Sequence, residues 1–433
     1  MPPAMARLLS RNETLNIAWG VWALLLGMGL LMVGNGLQGT LLGVRASAEG
    51  FGATVTGLVM SGYFVGFLAG STATPPLVER VGHVRVFAAL ASLASVAILV
   101  HSLFVIPVVW AAMRLVTGFA FAGLYVVTES WLNDRATNET RGRLLAIYLG
   151  LAFMGMGGGQ LLLNVADPAN HDMFILVSLI VSLALIPILL SATSQPRTDS
   201  PDTMGLRRLL RAAPLGSVTC FASGMGSGAI FGMGAVYARE VGLSLAEISV
   251  FMAAAIGGGA LLQWPIGRIS DRIDRRIVIT VVAALGVALS LAAIPVADLS
   301  RVGLIALAAC IGGVILPLYS LSLAYTNDYL EPRQMLAASS TLVMIMGIGS
   351  ILGPSLTGWL MDLFGPAGFL WYLAAVHAAL VAFALYRMVR RPRTDEYEAS
   401  RYVVAPSRFA PMGAAYAEQA GYGEEESEAG PER

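Results

Sequence analysis

Twelve apolar runs, each about as long as a bilayer is thick, constrain this chain more than any other feature. They lie at 17–42, 54–75, 84–104, 107–131, 142–164, 172–193, 214–237, 246–267, 277–297, 302–326, 334–361 and 367–388. About 20 apolar residues suffice for a helix to cross the hydrocarbon core. Inside lipid, an open chain satisfies its backbone only as a helix. The runs therefore predict an all-α membrane protein with twelve transmembrane helices. Composition agrees, with 56% of the 433 residues hydrophobic and 12% charged, against about 25% charged in a soluble domain. Formal net charge is zero, which gives no bulk attraction to nucleic acid. No cleavage pattern precedes the first run, which is expected to be retained.

The longest internal gap, "TSQPRTDSPDTMGLRRLLRAAP", separates the sixth run from the seventh. It divides the chain into a six-helix bundle at 1–195, a cytoplasmic linker at 196–213, and a second bundle at 214–390. The remainder, 391–433, is small, polar and acidic and is expected to be disordered. Arginine placement sets orientation. With the N-terminus inside, twenty loop arginines fall on the cytoplasmic side and only Arg45, Arg239 and Arg301 on the other. Such a bias predicts that both termini are cytoplasmic. The two cysteines, Cys220 and Cys310, lie inside apolar runs and read as small core residues.

The halves repeat. "WLND" at 131–134 corresponds to "YTND" at 325–328, an offset of 194 that also pairs Tyr125 with Tyr319, Gly155 with Gly349 and Gly159 with Gly353. An offset of 192 pairs the turn "LVERVGHV" with "RISDR" and its sequel, Glu79 with Asp271 and Arg80 with Arg272. Several ordered matches between the same helix pairs argue for a duplicated six-helix unit.

These residues resemble the major facilitator superfamily of secondary transporters over about residues 14–390. The family's turn between helices 2 and 3 carries Gly, then Asp-Arg-x-Gly-Arg, then a basic residue. "GRISDRIDRR" is similar through Gly267, Asp271, Arg272, Arg275 and Arg276, with Asp274 in place of the second Gly. "PPLVERVGHVR" is similar more distantly, with Glu79 for Asp and His83 at a basic position. "RLVTGFAFAG" is similar to the Arg-x-x-x-Gly element of the fourth helix, and "ESWLN" at 129–133 resembles a subfamily of bacterial inner-membrane members. The resemblance implies two pseudo-symmetric six-helix bundles that rock about a shared cavity. It also implies conformational latches, in which Glu79 faces the start of helix 11 (near Leu336 to Ser339) and Asp271 the start of helix 5 (near Arg141 to Arg143). The arginines Arg80, Arg272, Arg275 and Arg276 then pair locally. Drug/proton antiporters of the family carry Gly-Pro on helix 5. Here Gly159-Gln160 stands there and Gly353-Pro354 is on helix 11, which argues against drug efflux.

Within the spans, Arg114 is the one deep charge, and an intramembrane charge is a functional candidate by default. It reads either as a structural Arg held by carbonyls or as a contact for an anionic solute. Asn35 and Gln38 on the first run and Gln160 on the fifth are its neutral candidate partners. Arg114, Gly118, Phe121, Tyr125 and Glu129 recur at three- and four-residue steps and share one helix face. If the implied fold holds, helices 1, 4, 7 and 10 line the cavity, and Tyr125 and Tyr319 flank the ligand or simply pack. Glu129 and Asp328 are candidates for proton coupling or for ion pairs with loop arginines.

Three function classes are open at this point. A secondary transporter of a small solute, with membrane lipid and protons as further partners, accounts for the most features. An enzyme would need a convergent constellation. The histidines His83, His101, His171 and His377 are scattered, and there is no HExxH, GxSxG or phosphate-binding Gly-rich loop. No cofactor or metal is expected. A sensor built on a transporter fold would need a signalling part beyond the short acidic tail.

Overall fold

The computed structural model describes residues 22–135, 138–190, 204–330 and 332–390. The expected linker is covered from Met204 onward, and the acidic tail lies outside the described residues. Among the described residues, twelve helices are long and apolar enough to cross a membrane. The first six are α1 Trp22–Ala48, α2 Ala53–Val81, α3 His83–Leu103, α4 Pro107–Arg135, α5 Asn138–Leu161 and α6, which runs as Asp172–Leu183 and Leu185–Leu190. The second six are α7 Pro214–Glu240, α8 Leu245–Ser270, α9 Arg275–Leu299, α10 in two pieces (Arg301–Ile315 and Leu318–Asn327), α11 Pro332–Phe364 and α12 Gly368–Arg390.

Several helices outrun the apolar stretches that predicted them. Helix α2 continues to Val81, so Glu79 and Arg80 are exposed residues of its last turn and not of a loop. Backbone hydrogen bonding does not stop where side chains become polar. The chain turns at Gly82, whose φ of 93° suits a residue without Cβ. Other ends are capped as the sequence allows. Ser244 and Glu247 form a capping box at the start of α8. Asp274, the departure from the family pattern, caps α9 by accepting from the Arg276 amide at 2.9 Å.

Glycines set how the helices meet, and they meet the same way twice. A Cβ on Gly66 of α2 would fall 1.8 Å from the Leu115 carbonyl of α4, and one on Gly258 of α8 would fall 1.9 Å from the Ala309 carbonyl of α10. Gly118 against Tyr63 is repeated as Gly312 against Ala255, with would-be contacts of 1.8 and 2.0 Å. Gly36 and Gly159 bring α1 onto α5, as Gly228 and Gly353 bring α7 onto α11. Each pair is separated by the 192 or 194 residues of the sequence repeat. Close backbone approach replaces the hydrophobic drive that lipid removes.

The halves join mainly where α2 meets α11, α5 meets α8 and α1 meets α7, with α2 also touching α7. The segment expected to be a plain linker is partly built in. Leu206–Ala212 is a short helix with Leu209 buried, and Met204 donates to Ala337 O at 3.2 Å and accepts from Thr341 Oγ1 at 2.6 Å, both on α11. One cysteine departs from expectation: Cys220 is buried, but Cys310 is exposed on α10, where no neighbouring helix covers that side.

Candidate substrate cavity

A pocket whose empty space, open solvent included, is about 440 Å³ lies between the two halves. Helix α2 contributes Tyr63, Phe64, Phe67, Leu68 and Ser71; α7 contributes Ser227; α11 contributes Val343, Met346, Gly347 and Ser350. None of these lining residues carries a formal charge. Tyr63 and Phe67, one turn apart, are stacked with centroids 6.1 Å apart and planes inclined by 30°. Three serine hydroxyls punctuate the apolar wall. Each donates to a backbone carbonyl: Ser71 to Leu68 O at 2.9 Å, Ser227 to Gly224 O at 3.3 Å and Ser350 to Gly224 O at 3.2 Å.

Behind the aromatic wall lies a polar network in the N-terminal half. Asn35 Nδ2 donates to Tyr125 Oη at 2.9 Å and to Tyr63 Oη at 3.3 Å. Tyr125 Oη in turn reaches Met32 Sδ at 3.6 Å, and its ring lies 5.9 Å from Phe67. Arg114 is 1% exposed. Its guanidinium sits 4.5 Å from the centre of the Tyr63 ring, so Tyr63 joins the arginine to the pocket. The repeat makes this asymmetric, since the positions equivalent to Tyr63 and Arg114 are Ala255 and Ala308. Asn35 corresponds to Ser227, a lining residue of the other half.

The other expected residues are placed as follows. Gln160 donates to Gly36 O at 3.0 Å and accepts from Thr40, which ties α5 to α1. Gln38 is buried, and its Nε2 has no hydrogen-bond partner among the described residues. Tyr319 is buried in a cluster of α7, α10 and α11 residues with Cys220 and Met346, and does not line the pocket. Gly118 packs on α2 and not toward the cavity. The "ESWLN" run fastens α4 to its neighbours. Glu129 is fully buried and accepts from Tyr148 Oη of α5 at 3.2 Å. Ser130 Oγ lies 3.1 Å from His83 Nε2 of α3, and Trp131 stacks on the His83 ring at 5.5 Å.

The charged turn between α8 and α9 is a local ion cluster. Buried Arg275 binds Asp328 at the end of α10, donates to Asp271 at 3.1 Å and reaches Ala324 O at 3.3 Å. Arg276 grips Asp274 through Nε at 3.0 Å and Nη2 at 2.7 Å. Exposed Arg272 shares the turn, and Arg268 covers the Trp264 ring at 3.9 Å. Gly267 O accepts the Asp271 amide and ends α8. The side chains of Arg141, Arg143 and Leu336, where the latches were expected to land, lie outside the described set.

At the opposite end, sequence reasoning missed a contact between the two halves. Asp362 of α11 accepts from the Ala53 and Thr54 amides at the start of α2, at 3.1 and 2.9 Å. Gly52, the N-cap of α2, provides no side chain for the purpose. Nearby, Ser61 of α2 donates to Ile351 O at 2.6 Å and meets Ser355 Oγ at 2.8 Å. Pro354 O lies 2.3 Å from a would-be Cβ on Gly57. Asn164 donates to Ser249 Oγ across the α5–α8 seam at 3.0 Å. The pocket sits next to this seal, on the side of the charged turns. A signal for Tyr63 and Phe67 did exist. They run beside the glycine stripe Gly62, Gly66 and Gly70 at the same four-residue step. Asp362 had none, because its partners are 308 and 309 residues away.

A family model described as the Major Facilitator Superfamily matches residues 24–314 and 215–415. The chain is 30% identical over 349 residues to the "Uncharacterized MFS-type transporter YcaD" of Escherichia coli O6:K15:H31, covering 79% of this chain and 89% of that one. It is also 30% identical over 347 residues to the protein of the same description from Escherichia fergusonii. Among solved structures, it is similar in fold to a mutant of the nucleoside transporter NupG, with a TM-score of 0.71 at 12% identity, covering 85% of this chain and 99% of that one. It is likewise similar to a bacterial homolog of the human lysosomal transporter Spinster, inward-facing and occupied, with a TM-score of 0.66 at 16% identity over 86% and 94% of the two chains.

Proposed function

The chain belongs to the major facilitator superfamily and is a transporter by family, and from that premise we propose that it moves a small solute across the cytoplasmic membrane by alternating access. One observation carries the proposal: an uncharged pocket lies between the two halves, directly beside a hydrogen-bonded contact that joins them. Opening the seal and closing the opposite end would carry the pocket's contents from one face to the other without a continuous pore.

The arginine bias orients the molecule, with the charged turns and both termini cytoplasmic and the Asp362 seal outside. The arrangement is then closed to the exterior. Asp362 has the role expected of the loop acids, a carboxylate at a helix N-terminus of the other half. Such a contact is worth about 0.3–1 kcal/mol when exposed, small enough to break in every cycle. Glu79 and Asp271 are proposed to latch the cytoplasmic end when it closes.

Proton coupling is assigned to Glu129. It is fully buried near the cytoplasmic end of α4 and accepts a hydrogen bond from Tyr148 of α5. Flux of a bound solute into proteoliposomes tests the proposal. A saturable flux that falls when the pH gradient is removed is expected, and Glu129→Gln should abolish the gradient dependence while binding persists. A ligand that binds saturably yet is never moved under any gradient would mark a sensor on a transporter fold and overturn the proposal.

A further inference from the structure

We infer that the pocket takes an uncharged, flat-ringed solute bearing N–H or O–H donors, an inference that rests on the transporter reading of this site. The ring requirement comes from Tyr63 and Phe67. Their stacked pair at 6.1 Å offers an aromatic wall of the kind that binds a flat face in an offset arrangement.

The donor requirement comes from the serines. A hydroxyl has one hydrogen to give and two lone pairs to receive. At Ser71, Ser227 and Ser350 that hydrogen is already directed to a backbone carbonyl. With their hydrogens so directed, the three oxygens offer acceptor capacity to the pocket, which a solute with donors can use.

The charge requirement comes from Arg114. An anion would meet acceptor oxygens on the wall, while the guanidinium is occupied over the Tyr63 ring and is not part of the lining. A cation would stack on a ring that already carries a cation at 4.5 Å, and like charges repel strongly where water is scarce. The neutral donor is the class that neither feature opposes. The anionic solute, one of the two readings the sequence left open for Arg114, supposes that Arg114 faces the cavity.

Five matched probes test this on the purified full-length chain by equilibrium dialysis: uracil, 1,3-dimethyluracil, dihydrouracil, orotate and 5-(aminomethyl)uracil. They are neutral with donors, neutral without donors, puckered, anionic and cationic. Uracil is expected to bind tightest, with dimethyluracil weaker by about threefold to tenfold and both charged probes weaker still. Ser350→Ala, a small change, should shrink the advantage of uracil over dimethyluracil. Tyr63→Leu should erase the advantage of uracil over dihydrouracil. Orotate binding first, equal binding of uracil and dimethyluracil, or binding by none of the five would overturn the inference. Proteoliposome flux separates it from the reading beneath. Preferred transport of orotate would sink the solute class and leave the transporter standing. Saturable binding of uracil that is never moved would do the reverse.

Discussion

Tyr63 does three jobs with one side chain. Its ring lines the pocket, its face carries Arg114, and its hydroxyl accepts from Asn35. The buried arginine makes the ring face the costliest of these to lose, since a desolvated cation–π contact is worth about 2 kcal/mol. Tyr63→Phe keeps the face and loses only the hydroxyl, which Asn35 can spare because it also bonds Tyr125. Thermal unfolding in detergent should therefore rank Tyr63→Phe close to wild type and Tyr63→Leu well below it. A double-mutant cycle with Arg114→Met should give a coupling of about 2 kcal/mol for the Leu variant and close to none for Phe. Equal coupling for both would mean that the arginine is held by something other than the ring. Arg114 was legible in the sequence as a single deep charge. What it touches was not, because a tyrosine in an apolar run gives no sign of which neighbour its face will meet.

Among the glycines that seat α2 and α8 on their neighbours, Gly66 and Gly258 have the least room for a methyl group. Gly66→Ala and Gly258→Ala should each destabilise the protein by about 1–3 kcal/mol through overpacking, and should do so to a similar degree, because the two contacts are copies. Gly257 provides the control one residue away. A Cβ there meets nothing within 4 Å, so Gly257→Ala should be neutral or stabilise by up to about 1 kcal/mol. Unfolding midpoints of the three variants check both statements, and a stable Gly258→Ala would count against the close contact. At this scale the sequence was most informative. The apolar runs located all twelve helices, and the offset of 194 paired Gly155 with Gly349 and Gly159 with Gly353, each of which presses closely on a neighbouring helix. Helix ends were the weaker part, as at α2, because lipid thickness limits an apolar run and a helix can continue beyond it.

The two halves make one machine only if their seal is weak enough to open. Asp362→Ala removes an anion and two acceptors from the start of α2, and the sealed state should lose about 1 kcal/mol relative to the open one, a shift of roughly fivefold in population. Hydrogen exchange should then quicken at residues 351–358 of α11 and 232–236 of α7, which lie beneath the seal, with Asp362→Asn between the variant and wild type. Unchanged exchange there would make Asp362 a helix cap with no part in gating. None of this was readable beforehand, since a seal joins residues from opposite ends of the chain and depends on which way the halves are tilted. The short helix at Leu206–Ala212 has a consequence of another kind. Through Met204 the chain is already stitched to α11 ten residues before α7 begins. A gene divided after residue 203 would leave each product with its own packing partners, and the two products could find each other in the membrane. A division at 213 would tear the stitching from the helix it covers. The natural place to split this protein is therefore not where its second bundle of spans begins.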